Sequence, residues 1–206
     1  MSRVNWRASN LLCPLPCVLV SCTDKNGKSN VMTAAWAGTI CSDPVMVSVS
    51  IRKSRFSHDI IASTKEFVMN LPSEDLALYT DYVGIYSGRK VDKFSLPGKY
   101  KVNAVKSNKV KAVTIDECPI ALECKVKDIV ELGSHDMFIA EVVSCSVDEK
   151  YINKDNKLNI KKANLIAYCH GDYYVLGKKL GKFGYSSNKK ERNRRIDSTN
   201  RNKKRK

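Results

Sequence analysis

The sequence has no run of about 18 apolar residues, so it offers no helix able to span a bilayer. Glycine (10) and proline (6) are sparse among its 206 residues, which excludes collagen-like and low-complexity chains. No CxxC pair occurs, so zinc ribbons and thioredoxin-like redox sites lack their spacing. Histidine is limited to His58, His135 and His170, with no HExxH and no close pair, and no metal site is expected. GxSxG is absent. The stretch from Gly177 to Lys182 is one residue short of a P-loop and has neither Ser nor Thr after its lysine. Gly177, Gly181 and Gly184 do not form a dinucleotide fingerprint, because no βαβ unit follows them.

What is present suits one globular domain: 43% apolar and 28% charged residues. Eight cysteines are scattered, mostly inside apolar runs, and read as buried reduced thiols of a cytoplasmic protein. The net charge of +15 is uneven. Residues 189–206 hold ten basic and two acidic side chains, or +8, which leaves +7 for the body. This tail, 187–206, has no aromatic and no apolar face, so a disordered tail is expected, with nucleic-acid contacts no more than non-specific. Arg3 and Arg7 precede an apolar run ending Leu19-Val20-Ser21-Cys22, which imitates a lipoprotein signal. Pro14 and Pro16 interrupt the helix a signal would need, and the Asn26-Gly27 turn pair favours a strand entering a hairpin.

Residues 16–23 and 29–37 read as strands flanking that turn. At 45–51, VMVSVSI alternates with a period of two. Residues 56–66 predict a short helix with Ile60 and Ile61 on one side and Ser57 able to cap it. A buried strand at 67–71 and a helix from Ser73 to about Tyr86 follow. Residues 87–108 read mostly as loop, before strands at 111–115, 121–132, 137–147 and 165–170. The fold class is mainly β with helical insertions, in one domain over 1–186. The long meander argues for a closed antiparallel barrel and against a doubly wound parallel sheet.

The densest polar and cationic stretch lies between a strand and a helix start: Ser50-Ile51-Arg52-Lys53-Ser54-Arg55-Phe56-Ser57-His58. Helix N–H groups, the hydroxyls of Ser54 and Ser57, and the charge of Arg52, Lys53 or Arg55 are what a phosphate site requires. An exposed basic turn is the alternative.

Asn30-Val-Met-Thr-Ala-Ala-Trp36, Ser42-Asp43-Pro44 with VMVSVSI, the 52–58 run and Phe67-Val-Met-Asn70 together resemble the flavin reductase-like family of FMN-binding split barrels, its flavoredoxin branch in particular. The segments 133–142 and 174–184 extend the resemblance over about residues 10–186. It implies a split β-barrel, a homodimer, and FMN held noncovalently near the interface. Asn30, Thr33, Ala34, Ala35 and Trp36 would then line the isoalloxazine. Ser50, Ile51 and Arg52 would flank the ring and ribityl chain, and Arg52, Ser54, Arg55 and Ser57 would hold the phosphate. Lys93 would reach back to the flavin ring, and His135 and Tyr168 would complete the pocket, within one chain or from the second subunit. The implied activity passes electrons from NADH or NADPH through flavin to an acceptor, with no catalytic side chain. The alternative is an FMN-binding electron carrier reduced by a partner protein. Neither reading gives Cys41 or His58 a role.

Overall fold

The computed structural model describes residues 2–187, so the basic run from Lys189 lies outside the described residues. β1 (Leu15–Pro16) leads into β2 (Val18–Thr23), which returns as β3 (Ser29–Ala34). The turn between β2 and β3 forms because the Asp24 carboxylate accepts the N–H groups of Asn26 and Lys28, while Gly27 adopts φ +85°. β4 (Ala37–Ser42) and β5 (Val45–Arg52) make the next hairpin. Then come α1 (Phe56–Thr64), β6 (Glu66–Leu71) and α2 (Ala77–Ile85). β7 (Ala104–Val105), β8 (Thr114–Ile115), β9 (Ile120–Glu131) and β10 (His135–Val147) follow. α3 (Ile160–Ala163), β11 (Ile166–Cys169) and β12 (Asp172–Val175) end the compact unit, which closes at Leu176. A second unit begins at Gly177 and is described as coil, then a turn over 183–187.

Seven strands form one antiparallel sheet in the order β3-β2-β6-β9-β10-β5-β4. Its two edges, β3 and β4, are consecutive in the chain and separated only by Ala35 and Trp36, yet they do not pair. The barrel is therefore split at this point, not closed as the strand pattern alone predicts. Pleating sends alternate residues to opposite faces. Val18 and Val20 join Val47, Val49, Ile51, Phe67 and Phe138 in the barrel core, while Leu19 and Val31 pack outward against Tyr79 and Val83 of α2. Burying each such side chain contributes about 1.5–3 kcal/mol before entropy is counted. β2 is covered on both faces, which accounts for its unbroken apolar run.

Several boundaries differ from the sequence pattern. The strand expected at 29–37 stops at Ala34. Residues 37–42, which lack apolar alternation, become a strand because β5 supplies hydrogen-bonding partners. The helix expected from Ser73 starts with a 3-10 turn, Glu74–Leu76. The strand at 111–115 shrinks to Thr114–Ile115, and α3 has no counterpart in the pattern. The strand expected to reach His170 ends at Cys169, since His170 (φ +50°) and Gly171 (φ +110°) form a tight turn into β12. No described helix is long and apolar enough to cross a membrane. The cysteines form no disulfide among the described residues, and burial pushes the Cys17, Cys22 and Cys124 thiols up to about 12.

One buried amide stitches three strands. Asn70 is 0% exposed. Its Nδ2 donates to Leu19 O (3.0 Å) and Ser21 Oγ (2.9 Å), and its Oδ1 accepts the Ile115 N–H at 2.9 Å. Asn70→Ala leaves these partners unsatisfied and is expected to destabilise the fold by about 2–4 kcal/mol. Urea unfolding of the variant should show a lower midpoint with an unchanged slope.

Candidate functional site

The barrel split and the end of α2 enclose two joined cavities. The polar one, of about 430 Å³, is lined by Asn30, Met32, Arg52, Ser54, Arg55, Phe56, Ser57, Lys93 and the 86–88 turn. The second, of about 230 Å³, is lined by Thr33, Ala34, Ala35, Trp36, Ser50, His135 and Tyr168, with Cys17, Asp81, Gly84, Ile85 and Tyr173. Met32, Arg52 and Arg55 border both.

Two cations fix the wall between β3 and α2. Lys93, 3% exposed, donates from Nζ to Val31 O on β3 and to Val83 O on α2, each at 2.8 Å. Arg55 donates to Gly84 O at 2.9 Å. Both therefore occupy carbonyls at the C-terminal end of α2, where the helix dipole favours positive charge. Burial, and then the charge of Arg55, pull the Lys93 ammonium down to about 8. α2 lies close against β3 at Gly84, where a Cβ would stand a tight 3.2 Å from Thr33 Cβ; Thr33 Oγ1 donates to Thr80 O. The Arg52 side chain has no hydrogen-bond or ion-pair partner among the described residues, and none of these three cations has a carboxylate at ion-pair distance there.

Ser57 does not cap α1, contrary to the sequence expectation. The N-cap is Arg55, with no side-chain cap bond. The Ser57 hydroxyl is buried and accepts from Asn30 Nδ2 at 2.8 Å. The 87–90 turn closes over this pair: a Cβ on Gly88 would stand 2.1 Å from Asn30 Oδ1, so only glycine fits. At the other cavity, Trp36 is 43% exposed and packs edge-on against His135, with centroids 5.2 Å apart. Burial, then the charge of Arg52, lower the His135 pKa.

Comparison with known proteins gives the family. The flavin reductase like domain matches residues 11–177. This chain belongs to the flavin reductase-like family. It is similar to the flavoredoxin of Desulfovibrio vulgaris (Miyazaki F), at 32% identity and a TM-score of 0.81 over 88% of this chain and 97% of that one. Flavoredoxin from Methanosarcina acetivorans gives 28% and 0.79 over 88% and 95%. An uncharacterized protein of Archaeoglobus fulgidus is 35% identical over 65% of this chain and 72% of its own length.

The structure of this flavin reductase-like chain gathers most of the residues singled out from sequence. Asn30, Arg52, Ser54, Arg55, Ser57 and Lys93 line the polar cavity, and Thr33, Ala34, Ala35, Trp36, Ser50, His135 and Tyr168 the other. Ile51 lines neither, because its side chain is fully buried in the barrel core. Lys93 lies with the phosphate candidates and not with Trp36 and His135. The contributions of α2 and the following turn, from Asp81 to Gly88, were missed. Gly88, inside a stretch read as loop, was the one available signal.

Unfolded, Lys93 holds its proton to about pH 10.5; folded, it releases it near pH 8. Between these values the unfolded chain binds more protons, so the stability contribution at this position rises with pH. Lys93→Met lacks that term. The wild-type-minus-variant difference in unfolding free energy should therefore increase by roughly 1–3 kcal/mol from about pH 7.5 to about pH 10, above a constant offset for the two lost hydrogen bonds. Urea titrations at both pH values measure it.

Proposed function

We propose that this chain binds FMN across the two cavities and acts as an oxidoreductase, passing electrons from NADH or NADPH to an acceptor. The observation carrying this reading is the set of three cations, Arg52, Arg55 and Lys93, that face the cavities without a carboxylate partner among the described residues. Such a set suits an anionic ligand. The arrangement has a polar end, with the hydroxyls of Ser54 and Ser57, and an aromatic end, with Trp36 and Tyr168, as a phosphorylated ring compound requires. The flavoredoxin names of two relatives support the same choice.

In this reading Asn30 orients the Ser57 hydroxyl, which donates to the phosphate beside Arg52, Ser54 and Arg55. Lys93, held by Val31 O and Val83 O, keeps a fixed positive charge at the polar end. Trp36, His135 and Tyr168 exclude water from the ring. Bound FMN supplies the redox chemistry, and no side chain is needed as nucleophile or base. The functional form in this reading is a homodimer. Trp36, Ile40 and Val45 lie exposed around the free edge at β4, and a second copy would cover them.

Arg52→Ala or Ser57→Ala is expected to weaken FMN binding roughly 10- to 100-fold, through the loss of one charge-assisted bond each. Riboflavin, which has no phosphate, should bind wild type weakly and hardly respond to either change. Fluorescence titration measures both, and equal losses for the two flavins would remove these residues from a phosphate site. Sedimentation of the FMN-loaded protein should show a dimer; a stable monomer with full FMN affinity would contradict the assembly.

A further inference from the structure

A chain of alternating basic and acidic side chains runs around the outside of the cationic 52–57 turn. It begins in the loop after α2, where Arg89 lies 3.7 Å from Asp59 Oδ2. Asp59 Oδ1 meets His58 Nδ1 at 2.9 Å, and His58 Nε2 meets Asp136 Oδ2 at 2.8 Å. Lys53 Nζ stands 3.3 Å from Asp136 Oδ1 and 3.3 Å from Glu131 Oε2. The chain thus joins the 89 loop, α1, β10, the turn itself and β9.

Its members divide by burial. Lys53, Asp59, Arg89 and Glu131 are 49–82% exposed, and pairs this open add little to stability. The centre is different: the His58 and Asp136 side chains are only 12% and 8% exposed, and the His58 ring packs edge-on against Phe138. Burial opposes the charge on Asp136, but the hydrogen bond from His58 and the ion pair with Lys53 outweigh it and hold the carboxyl below its usual range. Three carboxylates, Asp59, Asp136 and Glu131, alternate along the chain with Arg89, His58 and Lys53. The cations facing the cavities, Arg52, Arg55 and Lys93, take no part.

We infer that Asp136 and His58 are positioning residues: their link clasps both ends of the 53–58 segment to β10 and fixes Ser54, Arg55 and Ser57 for a phosphate. This rests on the FMN reading above. Asp136 receives Lys53 from one end of the segment and His58 from the other. The neighbouring residue, His135, pairs in register with Arg52 and lines the second cavity. Arg89 adds a tie from outside, donating to Ser54 O at 3.1 Å and covering the Phe56 ring. None of the clasp carboxylates lines the polar cavity, so its effect on a ligand there is through the turn.

The test titrates FMN and riboflavin, by fluorescence, into wild type, His58→Ala, His58→Gln and Asp136→Asn. His58→Ala and Asp136→Asn should weaken FMN roughly 10-fold, as loss of an outer supporting partner does elsewhere, and leave riboflavin unchanged. His58→Gln, whose amide can still donate to Asp136, should stay within about threefold of wild type for FMN. Phosphate-selective loss with rescue by Gln is an outcome that general destabilisation does not produce. FMN affinity unchanged in His58→Ala, or equal losses for the two flavins, overturns the clasp. If Asp136→Asn does not fold, the two His58 variants decide alone. Wild type that holds FMN no better than riboflavin overturns the phosphate reading itself, and the clasp with it.

Discussion

The buried ammonium of Lys93 is the interaction on which the site is built. Only carbonyl oxygens receive it, Val31 O from the barrel edge and Val83 O from α2, and no carboxylate shares the charge. A buried cation with carbonyl partners alone is costly, and the fall of its pKa toward 8 records that cost. Part of it is offset by the negative end of α2, which Arg55 also occupies at Gly84 O. The two contacts join β3, α2 and the cationic turn into one wall. They also leave the wall with positive charge in place before any anion arrives, the preorganisation that binding and redox sites exploit.

The split in the sheet supplies the other half. β3 and β4 are consecutive yet unpaired, so Ala35 and Trp36 cross the gap as a short link, fastened where Ser50 N–H donates to Trp36 O at 2.8 Å. A closed barrel would have buried these residues against a neighbouring strand. Left open, the gap presents Trp36 and His135 to the second cavity, while Val47, Val49 and Ile51 of the same hairpin fill the core behind it. One strand thus serves packing with one face and the site with the other.

How much of this was legible depended on whether a residue's role is local. The alternation of 45–51 and the turn at Asn26-Gly27 are local, and both appear as strands and a hairpin. The stretch from Asn30 to Trp36 carried family-like residues in order, and most of them line the cavities. β4 was not legible, because AGTICS becomes a strand through its pairing with β5 and not through its own composition. Nor was His58, whose partner Asp136 is 78 positions away. Lys93 could be picked out by resemblance, but its position beside Asn30 and Ser57 follows from how α2 packs on β3. Ile51 is adjacent in sequence to residues at the cavities, but the pleat turns its side chain into the core.

In the proposed function the two cavities hold a flavin whose electrons come from a nicotinamide donor. The most direct measurement is the visible spectrum of the FMN-loaded protein after gel filtration, recorded anaerobically before and after addition of NADH or NADPH. The expected result is a retained flavin band, released by acid, that one of the two donors bleaches without any added protein. A band that persists with both donors and fades only with a partner reductase would contradict the oxidoreductase reading and leave an electron carrier. Protein that elutes free of flavin after saturation with FMN would contradict the cavity assignment itself.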